Sequence, residues 1–169
     1  AANYDLSAGT VKLVSNGAGI GQDGGTERSV FVDSAGQVDA EADGDIHITS
    51  VAGNALSVGL IDAGTSDVTL IGDSGVTHTG NDAATDVIGG TLKIENISAG
   101  SAGDITLDTA VTDANLNGGA ITIHDGDDII INGITASSLE IQGSGSITDA
   151  AGASITVTGL TKLNSSTND

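Results

Sequence analysis

The feature that most constrains this chain is a five-residue repeat of two small or acidic residues followed by an apolar, a polar and an apolar residue. The clearest copy is GDITL at residues 103–107, and further copies begin at residues 9, 44, 66, 90, 119, 137 and 153. Because side chains alternate across a strand, the two apolar members of each copy face the same side. The repeat therefore predicts short strands with one apolar face each, which must be buried by stacking on neighbouring copies.

The distance between copies predicts how they stack. The first apolar residue of one copy is followed by that of another after 22 residues (Ile46 to Val68), 24 (Val68 to Leu92), 18 (Ile121 to Leu139) and 16 (Leu139 to Ile155). These returns are too long for hairpins and match one coil of a parallel β-helix. We therefore predict an all-β fold, a parallel β-helix (β-solenoid) of about eight turns of 16–24 residues, with little or no α-helix. At ~4.8 Å per coil, the rod is on the order of 40 Å long.

Residue composition agrees with a solenoid. The chain has no proline, which would interrupt a hydrogen-bonded ladder, and 26 glycines that suit its corners. Tyr4 and Phe31 are the only aromatic residues, so the core must be aliphatic. The absence of cysteine excludes disulfides, thiolate metal sites and cysteine nucleophiles.

The charge balance restricts the partners. Four basic against 23 acidic residues give a formal net charge of −19, which disfavours binding to nucleic acid or to an anionic membrane surface. No stretch of 18 apolar residues occurs, so we predict no membrane insertion. Neither end of the sequence has a polar capping helix. We therefore expect residues 1–169 to be a single β-solenoid segment, either part of a longer repetitive chain or a subunit stacked end to end in a filament.

The acidic turn after residue 124 is the candidate metal site. Asp125, Asp127 and Asp128 lie around Gly126, and hard cations such as calcium prefer several oxygen ligands on a tight glycine turn. The turn also resembles a single copy of the calcium-binding nonapeptide of repeats-in-toxin proteins, which works in tandem, whereas this chain does not repeat it. A solvated acidic turn without a bound ion is the favoured alternative, so we predict no cofactor other than this candidate calcium.

The aspartate within the repeat recurs as Asp45, Asp67, Asp104 and Asp128. Stacked copies would form an acidic ladder, relieved either by cations or by hydrogen bonds to the turn backbone, and we favour the hydrogen bonds.

Catalytic and histidine sites are weakly indicated. His47, His78 and His124 are far apart in sequence, with His47 at an outward strand position, and a zinc site would require them to converge from different coils. Only four basic residues and no aromatic sugar platform are present, so we predict no catalytic residues, no cofactor-binding residues and no enzyme activity.

Two longer patterns carry a family resemblance. GIGQ at residues 19–22 is followed by an apolar strand, an Ala/Gly-rich turn and GDIHI at 44–48, and SGSITDAAG at 144–152 is a second such unit. These units resemble the repeats of large secreted exoproteins of the filamentous-haemagglutinin type, and the resemblance covers essentially the whole chain. It implies a right-handed parallel β-helix on a Gram-negative cell surface, exported through an outer-membrane transporter and serving as an adhesin or stalk.

Three functional hypotheses follow. The favoured one is a structural segment of a secreted cell-surface adhesin, a rigid extracellular rod whose partners are neighbouring solenoid repeats and a host or cell-surface receptor or polysaccharide. The second is a subunit of an extracellular filament or surface layer, with identical subunits joined end to end and bridged by calcium. The third, far behind, is a polysaccharide-binding or polysaccharide-cleaving domain. If a ligand surface exists, we expect it at residues 72–90 and 108–119, where the repeat loosens into longer loops.

Overall fold

The computed structural model describes residues 6–23, 26–27, 29–34, 36–50, 53–78, 84–96 and 103–166. These residues form seventeen strands and no helix. The strands are β1 (Leu6–Ala8), β2 (Val11–Ser15), β3 (Gln22–Asp23), β4 (Thr26–Glu27), β5 (Val30–Ser34), β6 (Val38–Ala42), β7 (Ile46–Ser50), β8 (Leu56–Asp62), β9 (Val68–Gly72), β10 (Gly75–His78), β11 (Val87–Asn96), β12 (Asp104–Asn117), β13 (Ala120–Asp125), β14 (Ile129–Ala136), β15 (Ser138–Gly143), β16 (Ile147–Val157) and β17 (Thr161–Ser165). The apolar–polar–apolar part of all eight copies of the repeat lies in strands. The described part of the chain has no helix long and apolar enough to cross a membrane.

Fifteen of the strands form one sheet in which every pairing is parallel, whereas β3 and β4 form a small separate antiparallel pair. The sheet is wound into three columns of stacked strands. The first column is β1, β5, β7, β9, β11, β12, β14 and β16; the second is β2, β6, β8, β11 and β12; the third is β8, β10, β12, β13, β15 and β17. The longer strands β8 and β11 each take part in two columns, and β12 takes part in all three. This arrangement confirms the predicted parallel β-solenoid.

Three of the four predicted returns are confirmed by the register. Ile46 pairs with Val68, Val68 with Leu92, and Ile121 with Leu139. The fourth return is wrong, because Leu139 pairs with Thr161. The repeat copy at 153–157 instead lies in the first column, where it continues β14 rather than β15.

The solenoid has about six turns rather than the predicted eight. The prediction divided the chain into coils of roughly 20 residues, but several coils are longer than the predicted range of 16–24 residues. Val76 pairs with Ile105, for example, a return of 29 residues. About six coils at ~4.8 Å correspond to a rod about 30 Å long.

The core is the aliphatic interior that the repeat predicts. The apolar pairs of the central copies are almost fully buried, as in Ile46 and Ile48, or Ile105 and Leu107. Each such side chain contributes ~1.5–3 kcal/mol when removed from water. The neighbouring coils supply the rest of the enclosure, since each strand has a stacked partner on both sides in the middle of the rod.

The stretch 108–119, expected to be a longer loop, is mostly strand. β12 continues to Asn117 and still contributes to the core beyond the repeat, since Val111, Ala114 and Leu116 are buried. In the other stretch, residues 79–83 lie outside the described residues, while His78 ends β10 and Asp86 immediately precedes β11.

Candidate functional site

The predicted calcium turn lies between β13 and β14, and two of its carboxylates are engaged by the chain itself. Asp125 is buried, and its Oδ2 accepts hydrogen bonds from Thr109 Oγ1 at 2.6 Å and from the Val111 N–H at 3.3 Å. Its Oδ1 accepts the Asp127 N–H at 3.0 Å. Burial raises the pKa of Asp125 above its ordinary value. The three hydrogen bonds oppose that rise, and the nearby Asp127 carboxylate adds to it.

Asp128 belongs to the same turn but has the opposite electrostatic behaviour. It is exposed, and its Oδ1 accepts hydrogen bonds from Ser146 N–H at 2.6 Å and Ser146 Oγ at 3.0 Å. These bonds, the backbone one above all, lower the pKa of Asp128 below its ordinary value. Calcium at Asp125, Asp127 and Asp128 stays a prediction. The carboxylates of Asp125 and Asp128 already accept hydrogen bonds from the chain, so an ion would have to share them.

The four aspartates of the repeat follow a common rule. Each accepts a hydrogen bond from a backbone N–H of the following coil: Asp45 from Asp67, Asp67 from Thr91, Asp104 from Ala120, and Asp128 from Ser146, at 2.6–3.1 Å. The favoured hydrogen-bond interpretation is thus confirmed, with one correction: the donors belong to the next coil rather than to the same turn. Because only Asp45 and Asp67 are stacked directly, the predicted acidic ladder is a single step long.

The histidines are arranged differently from the sequence prediction. His47 is only 5% exposed, so the expected solvent-facing position is wrong, and all five residues of β7 are buried. His78 and His124, expected to be unrelated, both lie near Asp108.

Among the described residues, one group of three side chains brings metal-ligand atoms together, and it consists of His78, Asp86 and Asp108. Their ligand atoms all lie within 4.8 Å of one another. The Nδ1 of His78 is 3.4 Å from Asp86 Oδ2, and the Nδ1 of His124 is 2.9 Å from Asp108 Oδ1. The two stretches predicted to carry a ligand surface therefore meet here, since His78 and Asp86 come from the first and Asp108 from the second.

The five-residue repeat does not predict this cluster, although it predicts one contact beside it. Aligning the repeat copies at 103 and 119 puts Asp108 opposite His124, as the register has it. His78 and Asp86 could not be placed in the same way, because the coil that contains them has an irregular length.

A cavity of about 300 Å³ adjoins the cluster. Asp108, His124 and Asp125 form part of its wall, together with Thr85, Thr109 and Gly126. It opens to solvent along four successive coils, so small ions and water have access to Asp108.

Comparisons with known proteins give no assignment. The chain matches no protein-family model, and no curated protein or solved structure is significantly similar to it.

Proposed function

We propose that this chain is a structural segment of a secreted cell-surface adhesin of the filamentous-haemagglutinin type, acting as a rigid extracellular rod without catalytic activity. The observation that carries the proposal is the solenoid itself, a continuous parallel ladder in which each coil covers the core of the one before it. Such a stack resists bending because every coil is hydrogen-bonded along its length to its neighbours.

The last described coil leaves two apolar side chains uncovered. Leu163 is 54% exposed although it pairs directly with the buried Ile141, and Ile155 is 48% exposed although it pairs with the buried Ile134. Among the described residues, no strand is paired to the outer side of β16 or β17, so these side chains are exposed. A further coil would bury them and continue both columns.

The cell-surface part of the proposal rests on the resemblance carried by residues 19–22, 44–48 and 144–152. The net charge of −19 is compatible with a solvated extracellular rod. The receptor is not implied by these features, and the proposal places recognition elsewhere along the adhesin.

The deciding experiment is the denatured mass of the native polypeptide that contains this sequence, isolated from the cell surface and detected with an antibody against residues 103–166. We expect a chain many times heavier than 16.4 kDa that forms extended rods in electron micrographs. A native chain close to 16.4 kDa would contradict the stalk.

A second candidate function, an end-to-end filament of identical subunits, is favoured by apolar exposure at both ends of the stack. Leu160 is 76% exposed near the last coil, and Leu6 is 36% exposed on β1, in the first coil, although it pairs with the buried Val32. In this alternative, the ends are the functional surfaces, and calcium is a candidate bridge between them.

Sedimentation of the purified chain separates the two candidates. If the ends polymerise, the substitutions Leu160→Lys and Leu163→Lys should abolish the polymer, because two lysines would introduce charge into the apolar contact. Leu60→Lys is the matched control, since Leu60 is comparably exposed on β8, in the middle of the stack. A polymer that survives the end substitutions, or that Leu60→Lys disrupts equally, would exclude the filament. Loss of the polymer in excess EDTA would support calcium bridging.

A further inference from the structure

His78, Asp86 and Asp108 bring one imidazole nitrogen and two carboxylates together from two successive coils. Imidazole nitrogen and carboxylate oxygen are ligands that zinc accepts, whereas calcium and magnesium prefer oxygen alone. We propose that these three residues form a binding site for a divalent transition-metal ion of the zinc class. The site does not depend on whether the rod belongs to an adhesin or to a filament.

The distance between two of the ligand atoms matches metal coordination better than a hydrogen bond. His78 Nδ1 lies 3.4 Å from Asp86 Oδ2, is shielded from solvent and has no hydrogen-bond partner. Two ligands at ~2.0–2.1 Å from a tetrahedral zinc ion are about 3.4 Å apart. A zinc ion between them would give the buried nitrogen its missing partner.

The carboxylates are held in place by the ladder. The Asp86 N–H donates to the Asp108 carbonyl at 2.7 Å, and Asp86 Oδ2 accepts the Asp108 N–H at 2.8 Å. The Asp86 carbonyl in turn accepts the Ile61 N–H at 2.7 Å. Asp86 is therefore fixed between β8 and β12, and little ordering is required of it when an ion binds.

Charge favours a cation at this point. Asp86 is buried and Asp108 is largely shielded, so two carboxylates repel each other in a region of reduced dielectric. Lys93 and Lys162 form their ion pairs elsewhere, with Glu95 and Glu140. One divalent ion would balance the two negative charges.

His124 has a supporting position rather than a ligand position. A carboxylate only accepts, so the 2.9 Å contact means that His124 Nδ1–H donates to Asp108 Oδ1. Hydrogen bonds of this kind orient ligating carboxylates. With three protein ligands, the ion would keep an open coordination position, which the adjoining cavity can supply with water.

The test is calorimetric titration of the purified chain with Zn²⁺, in high salt and excess Ca²⁺ to suppress diffuse binding to the acidic surface. We expect one Zn²⁺ per chain. At a Zn²⁺ concentration of one hundred times Kd, the melting temperature should rise by about 5–10 °C, because the ion joins successive coils. Co²⁺ in place of Zn²⁺ should give the visible absorption of low-coordinate cobalt with a nitrogen ligand.

Variants locate the ion. His78→Ala and Asp108→Asn should each lower zinc affinity by more than about 100-fold, and His124→Gln by about 10-fold to 100-fold. Asp127→Asn, which removes an exposed carboxylate one turn away, is the control and should leave affinity within about twofold. Circular dichroism verifies the fold of each variant, and His78→Ala decides the test if Asp108→Asn does not fold.

Two results would overturn the site. One is the absence of zinc binding to the wild-type chain. The other is binding that His78→Ala leaves unchanged, or that Asp127→Asn weakens as strongly, which would indicate an adventitious ion only.

Discussion

The strands β15 and β17 lie side by side in register, yet one is interior and the other is not. Ile141 in β15 is fully buried, whereas its partner Leu163 in β17 is 54% exposed. Both residues directly follow a charged residue, Glu140 or Lys162, at the same position of the register, although β17 has Thr161 where β15 has Leu139. In this fold a side chain is fully buried only when coils are stacked on both sides of its strand. Ile141 has both neighbours, whereas Leu163 has one.

The largest expected effect compares these two positions directly. Ile141→Ala should lower the free energy of unfolding by about 2–5 kcal/mol, because it opens a cavity between two coils. Leu163→Ala should cost less than about 1 kcal/mol, since its side chain is already half in water. Urea unfolding followed by circular dichroism measures both. Equal losses would mean that the last coil is covered in solution, which would support self-association through that end.

The second comparison concerns how closely coils approach. A Cβ added at Gly103 would overlap the backbone of Ser74, whereas one added at Gly9, in the first coil, would meet no atom within 4 Å. Gly103→Ala should therefore cost about 1–3 kcal/mol, because neighbouring backbone must move. Gly9→Ala should change stability by no more than about 0.5 kcal/mol. Thermal unfolding of the pair tests this, and a neutral Gly103→Ala would show that the coils are spaced more loosely than the structure has them.

The third prediction concerns Asp125, whose carboxylate is buried between coils in the interior of the stack. Since the folded-state pKa of Asp125 is raised above the ordinary 3.8, the folded chain retains a proton that the unfolded chain has released. The stability of the wild type relative to Asp125→Asn should therefore fall as the pH rises above about 3.8, and level off above the raised pKa. Urea unfolding of both proteins from pH 4 to pH 7 measures the difference. A difference that stays constant over this range would contradict the pKa shift.

The smallest expected effect is at Asp128, which is exposed and has a lowered pKa. The pH dependence is opposite to that of Asp125. The hydrogen bonds from Ser146 stabilise the fold when the pH is above the ordinary pKa of the carboxyl group. This contribution is lost as the pH falls through the folded-state pKa. Compared with Asp128→Asn, the wild type should be slightly more stable at pH 7 and lose that advantage below about pH 3.8. An advantage that persists in acid would contradict the role of the ionised carboxylate.

Sequence reasoning predicted the strands and most of the register, because alternation and coil length are local properties. It did not predict which strands stack on each other where the coils differ in length. The spacing of 16 residues predicts that Ile155 stacks on Leu139, but Ile155 pairs with Ile134 of β14 and so belongs to another column. The cluster of His78, Asp86 and Asp108 was hidden for the same reason, since it arises from one coil of irregular length.

The aspartates that cap the next coil make the rod directional. Asp45, Asp67, Asp104 and Asp128 each accept an N–H from the coil that follows in the chain. At these positions, every coil presents acceptors toward its C-terminal neighbour and donors toward its N-terminal one. Two copies can reproduce this pairing only head to tail, so a polymer built through these ends would be polar, with two chemically different tips and no two-fold symmetry.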